Sequence, residues 1–305
     1  MKVAVHGYGY WGPNIARVFR AAGCLVEVID PSEARKEAAA QQGFTVVAAP
    51  TPGTDISAIC TPPHMHEKLI RQELEAGRHV WTEKPVAFTA KGASTLAALA
   101  ASRGLILYMD HTFTFAPVVQ KLASVVSGRK FNHVQGVRAH LVEPREGATV
   151  LGDLLPHDLS ILDACGLRVW RVMARTSLVE AEVQLDFAGE GTASLYFSWV
   201  SAMKLRRMTM YGLRWTVTYD HLNPHTPIQL FEADGEADPE VYRYGQITTP
   251  TIPPGEPLMR GVQQFCAAIA EKGQGNIAAA LRVERLVHAT ERAAAIAPGQ
   301  WLEID

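Results

Sequence analysis

Hydrophobic and polar positions along the chain fall into two regimes. Up to about residue 126, short apolar runs alternate with segments whose apolar residues recur at helical spacing. The runs at 3–5, 25–29, 45–48, 56–60, 79–82 and 105–109 predict strands. Helices are predicted between them, at Ile15-Val18-Phe19-Ala22 and at 32–42, 66–76 and 91–102. Gly43, Gly77 and Gly104 stop the last three. Strands alternating with helices predict βαβ units and a parallel sheet. From Arg168 to Phe231 the period changes to two, as in Val183-Leu185-Phe187 and Ala193-Leu195-Phe197-Trp199. That predicts an antiparallel sheet with one face on a core. A helix over 115–128, a strand over 134–141 and a helix around 152–162 lie between the two regimes. Beyond Phe231 come a long turn-rich connection over 234–257, helices over 258–271 and 277–295, and a short strand at 301–304. The fold expected is a doubly wound parallel sheet over 1–114, followed over 115–305 by a domain with a large, mostly antiparallel open sheet.

The first strand breaks into Gly7-Tyr8-Gly9-Tyr10-Trp11-Gly12, and Pro13 opens the helix that follows. Strand, G-x-G-x-x-G turn and helix in that order is the context of a dinucleotide-binding fingerprint. Gly7 allows the tight turn, Gly9 lets backbone approach a pyrophosphate, and Gly12 lets helix and strand pack closely. The helix N-terminus then offers its N–H groups to the phosphates. The second strand ends in Asp30, placed to accept hydrogen bonds from an adenosine ribose and to repel a 2′-phosphate, which points to NAD over NADP.

Bulk properties narrow the choice of partner. A formal net charge of −2, from 29 basic and 31 acidic residues, gives no electrostatic footprint for nucleic acid or an anionic membrane. Cys24, Cys60, Cys165 and Cys266 stand singly, without a C-x-x-C, which fits reduced thiols in a cytoplasmic protein and no metal site. No apolar run reaches the ~18 residues that span a bilayer.

Gly7, Asp30, Thr61, Glu83-Lys84 and His111 all follow the carboxyl ends of predicted strands, the edge at which open α/β sheets bind ligands. In Glu83-Lys84-Pro85 the proline restricts Lys84 to extended backbone, which aims its ammonium. Residue chemistry alone leaves two readings, an aimed proton donor or an exposed charge pair beside a turn. Thr61-Pro62-Pro63-His64-Met65-His66, followed by Glu83-Lys84-Pro85 and taken with the glycine turn, resembles the Gfo/Idh/MocA oxidoreductases. These are NAD(P)-dependent enzymes acting mostly on sugars, nucleotide sugars and cyclitols. The resemblance extends over nearly the whole chain. It implies a cofactor site formed by Gly7, Tyr8, Gly9, Tyr10, Trp11, Gly12, Asp30, Thr61, Pro62, His66, Glu83 and Lys84. Asp110 stands where a small residue is expected.

Asp153 and His157 are four apart, on one face of a predicted helix. A carboxylate beside an imidazole fixes its tautomer and raises its basicity; a capping Asp153 and a core His157 would make the same pattern. The family's D-x-x-x-H falls on these residues, and the resemblance implies that Lys84, Asp153 and His157 are catalytic. It also implies a homodimer or homotetramer formed through the open sheet. The function expected is NAD-dependent hydride transfer at a secondary alcohol of a sugar-like substrate. The alternatives are a cofactor-retaining lyase or hydrolase, or a non-catalytic NAD-binding subunit.

Overall fold

A computed structural model describes residues 1–143, 148–189, 191–233, 244–296 and 298–304. The chain divides into two compact units, one of residues 1–116 with 255–284, the other of residues 117–254 with 285–305.

The first unit is built on six parallel strands. These are β1 (Lys2–His6), β2 (Leu25–Ile29), β3 (Thr45–Val46), β4 (Ile56–Ile59), β5 (His79–Thr82) and β6 (Leu107–Met109), in the spatial order β3-β2-β1-β4-β5-β6. This is the dinucleotide-binding order, with its switch point between β1 and β4. Its helices are α1 (Gly12–Ala21), α2 (Glu33–Gln41), α3 (His66–Glu75), α4 (Ala90–Ser102), α5 (Thr112–Phe115) and, from much later in the chain, α8 (Pro257–Ala270). Both faces of the sheet are covered. Val3, Val5, Ile56, Trp81 and Tyr108 pack into one core, whereas Ile59, Val80, Leu107 and Met109 pack into another. Burial on both sides explains why the strands read as unbroken apolar runs rather than as alternation. Phe265 of α8 joins Phe19, Trp81 and Tyr108, with ring centroids 5.3–6.3 Å apart. Asn276 completes the edge by accepting from Met109 N at 2.9 Å and donating to Met109 O at 2.6 Å. Aromatic burial and this main-chain mimicry explain why 255–284 returns to the first unit.

A buried polar chain also crosses the first unit. Arg78 Nε and Ser57 Oγ both donate to Glu73 Oε2 at 2.5 Å, and His6 Nε2 lies 3.4 Å from Ser57 Oγ. Burial alone would raise the Glu73 pKa, but the Arg78 and Ser57 bonds and the His6 charge outweigh it and hold the carboxyl below its ordinary range. Burial pushes the His6 imidazole down, against the opposing pull of Glu73. Both depressed groups contribute stability that is present above their unfolded pKa values and is lost as pH falls through the folded ones. The His6 contribution starts to fall near about pH 6.5, and that of Glu73 below about 4.3. The urea midpoint is therefore expected to drop steadily on acidification; a midpoint flat from about pH 7 to 4 would contradict this account.

The second unit holds a nine-stranded sheet. Its strands are β7 (Phe131–Leu141), β8 (Val169–Thr176), β9 (Glu180–Phe187), β10 (Thr192–Ser198), β11 (Val200–Gly212), β12 (Trp215–Asp220), β13 (Ile228–Ala233), β14 (Tyr244–Thr248) and β15 (Leu302–Glu303). The order is β14-β13-β12-β11-β7-β10-β9-β8-β15, antiparallel throughout except for the parallel β7–β10 pair. Helices α6 (Pro117–Val126) and α7 (Val150–Ala164) belong to this unit, and α9 (Ile277–Ile296) enters it at Arg285.

Two elements differ from the sequence expectation. The helix expected over 115–128 is split, because Pro117 holds Ala116 in extended backbone (φ −65°, ψ 127°), so α5 ends and α6 begins on the proline. Within the expected 234–257 connection, 244–248 is the edge strand β14, which pairs with β13. An edge strand is held by main-chain bonds and needs no alternating pattern. Residues 234–243 of that connection, and 144–147 of the loop before α7, lie outside the described residues.

Candidate active site

The glycine turn obeys close steric limits. Gly7 has φ +93°, and a Cβ there would lie 2.8 Å from Cys60 O. A Cβ on Gly12 would lie 2.0 Å from Gly7 O, so helix, turn and strand meet at a distance that only glycine allows. At Gly9 the atoms nearest to such a Cβ are those of the Arg35 guanidinium, the nearest at 3.6 Å. Helix α1 has Trp11 at its N-cap, no side-chain cap and no acid in its first turn. Its first N–H groups are therefore not taken by a side chain of the helix's own first turn, the arrangement an anion uses.

Asp30 is buried at the end of β2. It accepts from Tyr8 N at 2.7 Å and Ser32 N at 2.9 Å, and Arg35 Nη1 lies 3.6 Å from it. The Tyr8 side chain turns into the core, where its hydroxyl donates to Gln42 Oε1 at 3.0 Å, so only its backbone belongs to the turn. Tyr10 is 86% exposed and stacks on Trp11.

Thr61 and Pro62 follow β4, and Glu83 and Lys84 follow β5. His66, 1% exposed, spans the two loops: Nδ1 is 2.7 Å from Pro85 O and Nε2 is 2.8 Å from Thr61 O. Burial pushes its pKa down and the two carbonyls pull it up, with burial the larger effect. His66 thus acts on the site by holding the T-P-P and E-K-P loops together. Thr61 Oγ1 and Glu83 Oε1 are buried without a hydrogen-bond partner. Two orphan oxygens at adjacent strand ends, beside a glycine turn that leaves Gly9 approachable, fit a bound dinucleotide. Gly7 to Gly12, Asp30, Thr61, Glu83 and Lys84 would hold it.

Asp110 follows β6, buried, and explains its own misfit. Its Oδ1 accepts from Thr112 Oγ1 at 2.8 Å and its Oδ2 from Trp11 Nε1 at 3.4 Å, and its carboxyl is hydrogen-bonded to that of Glu83. Burial first, then the Asp110 charge and bond, push the Glu83 carboxyl well above the ordinary range; burial also raises Asp110.

In the second unit α7 carries Asp153 and His157, both half-buried. Thr149 caps the helix, its hydroxyl accepting from Gly152 N at 2.8 Å. Pro156, inside the helix, denies the Gly152 carbonyl its intrahelical donor one residue before His157. Trp199 Nε1 donates to Asp153 Oδ2 at 3.3 Å. Arg138 of β7 clamps α7 to the sheet through Asp158, at 2.5 and 3.3 Å, with both side chains at most 6% exposed. Breaking one side of such a buried pair costs ~3–5 kcal/mol, because a charge is left uncompensated.

The sheet near this helix is cationic. Burial, Arg206 and Arg138 push the His221 pKa down to about 4, and burial and Arg206 also lower that of His140. Sequence reasoning missed Arg138, His140, Trp199, Arg206 and His221. The available signal was charge at Arg138 and Arg206, which face each other in register within strands read as apolar on that face.

Residues 1–111 match the family described as oxidoreductase family, NAD-binding Rossmann fold. Myo-inositol dehydrogenase Hyg17 of Streptomyces leeuwenhoekii is 30% identical over 178 residues, 53% of this chain and 54% of that protein. Mouse biliverdin reductase A is 37% identical over 76 residues, 25% of this chain and 26% of that protein. The matched stretches thus span only a quarter to about half of these relatives. The UDP-N-acetylglucosamine 3-dehydrogenase GnnA of Acidithiobacillus ferrooxidans superimposes with a TM-score of 0.83 at 22% identity, over 96% of this chain and 97% of its own. Levoglucosan dehydrogenase, in complex with NADH and levoglucosan, gives 0.83 at 17% identity, over 100% and 99%. These likenesses establish a shared fold along the chain. Residues 1–111, the NAD-binding Rossmann domain, match the Gfo/Idh/MocA oxidoreductase family.

Proposed function

We propose that the protein is an NAD-dependent dehydrogenase of a secondary alcohol on a sugar-like molecule: a nucleotide sugar, a free sugar or a cyclitol. The observation that carries this reading is Lys84, which follows β5 at the same strand edge as the glycine turn, Asp30 and the two orphan oxygens. The D-x-x-x-H helix and the substrates named for the related and similarly folded dehydrogenases support it. Bound NAD would supply the hydride acceptor. His157, oriented by Asp153, takes the hydroxyl proton, and the Lys84 ammonium donates to the oxygen that becomes a carbonyl. The outer face of the nine-stranded sheet, with Gln135, Val137, Gln184, Tyr196 and Thr209, is the proposed contact between copies in a homodimer or homotetramer.

The test is a panel of UDP- and dTDP-sugars, free sugars and inositols with NAD. At least one is expected to yield accumulating reduced nicotinamide. Turnover with no net reduction would identify a cofactor-retaining lyase or hydrolase instead, and NAD binding with no turnover a non-catalytic subunit.

Arg35 favours NADP, because it lies beside Asp30 with its side chain exposed and could reach a 2′-phosphate. Wild type is expected to prefer NAD. Asp30→Ser is expected to lower the NAD-to-NADP ratio of kcat/KM by roughly tenfold or more, since a like-charge juxtaposition costs several kcal/mol. An unchanged ratio would remove Asp30 from the cofactor site.

A further inference from the structure

Two carboxyl groups sit where the E-K-P loop meets the end of β6. Thr82 and Met109 are the last partners in the β5–β6 register, so Glu83 and Asp110 are the next residues on adjacent parallel strands. Each is anchored by its backbone, Asp110 N donating to Thr82 O at 2.8 Å and Glu83 N to Ile59 O at 3.1 Å. Their side chains are hydrogen-bonded to each other. Two ionised carboxylates cannot form such a bond, and burial disfavours two adjacent negative charges even with the Lys84 charge beside Glu83.

Asp110 also reaches two further segments. Trp11 Nε1 approaches it from the glycine turn and Thr112 Oγ1 from α5. One carboxyl thus joins the glycine turn, the E-K-P loop and the start of α5.

We propose that Glu83 and Asp110 share a single proton at neutral pH, and that the bridged pair is a positioning device fixing the glycine turn and the Lys84 loop in the geometry that binds the cofactor. Other titratable groups face the pair. Cys60 at the end of β4 is half-buried, and its desolvation with these two acids raises its pKa well up. Lys84 lies beside Glu83, Tyr108 precedes the pair on β6, and His111 follows it. As pH rises the shared proton leaves to solvent, both groups become carboxylates, and the bridge opens. In Asp110→Asn the amide donates to an ionised Glu83, so the bridge persists with the same net charge and nothing left to titrate.

Infrared spectra of the purified protein, with 13C-labelled aspartate and glutamate, test the proton itself without cofactor. A carboxylic-acid C=O band is expected at neutral pH and should vanish in Asp110→Asn. Its absence from wild type, or its survival in the variant, overturns the shared proton. Calorimetric titration with NAD from neutral to alkaline pH tests the positioning role. Wild-type affinity should fall as pH rises, and Asp110→Asn should match it at neutral pH but hold its affinity in alkali. Asp110→Ala should bind roughly tenfold or more weakly at every pH, the scale of a lost charge-assisted bond. An alkaline fall retained in Asp110→Asn, or wild-type affinity in Asp110→Ala, overturns the role. The binding arm rests on the proposed NAD reading: if wild type binds no NAD, that reading and the positioning role fail together, while the spectra still decide the shared proton.

Discussion

Lys84→Ala lowers kcat by roughly 10²-fold or more, and His157→Ala does the same, the usual effect of removing a positioned acid or base. Both side chains are only half-buried, so neither loss creates a core cavity, and melting is expected to stay close to wild type. The two variants should differ in pH dependence. A base is useful only when deprotonated, so His157→Ala removes the acidic limb of the wild-type profile, whereas Lys84→Ala leaves that limb in place. Asp153→Asn should fall between wild type and His157→Ala, because it acts through the imidazole. Steady-state kinetics on the substrate found in the panel read all of this. Near-wild-type turnover in both alanine variants, with the fold intact, would remove them from the chemistry.

Gly12→Ala destabilises the first unit by about 3 kcal/mol or more and abolishes NAD binding, since overpacking backbone against backbone has no rotamer to relax into. The new Cβ would sit 2.0 Å from Gly7 O, and Gly7 is itself pinned against Cys60 O. Gly9→Ala is the control. Its Cβ meets only the flexible end of Arg35 at 3.6 Å, so melting is expected to be unchanged while NAD affinity falls, because the methyl group takes the space of the pyrophosphate. Thermal melts and NAD titrations of the two variants separate folding from binding. A Gly12→Ala protein with wild-type melting would contradict the close-packed turn.

The first unit was legible because each of its strands is short, apolar and punctuated, and because the glycines sit where sterics permit nothing else. Its last piece was not legible. The period of α8 shows an apolar face, but nothing local says that Phe265 docks on Trp81 of a strand nearly two hundred positions earlier. Asp110 was visible only as a misfit, since its meaning depends on Glu83, which parallel pairing brings beside it across the whole of α4. Arg138 and Arg206 carry no motif, and nothing local in the sequence singles them out. They are the covered face of the sheet, one tied to α7 by Asp158 and the other opposite it in register. Asp153 and His157 were readable as a pair on one helix face, whereas the Trp199 bond to Asp153 comes from a different strand and leaves no trace in spacing.

The proposed function requires Lys84 and His157 to serve one reacting carbon. A crystal structure with NAD and a substrate from the panel tests it most directly. The expected result is Lys84 Nζ and a ring nitrogen of His157 both within hydrogen-bond reach of the same substrate oxygen, with the carbon bearing it against the nicotinamide ring. A substrate oxygen approached by neither side chain, or a nicotinamide ring far from both, would contradict the account.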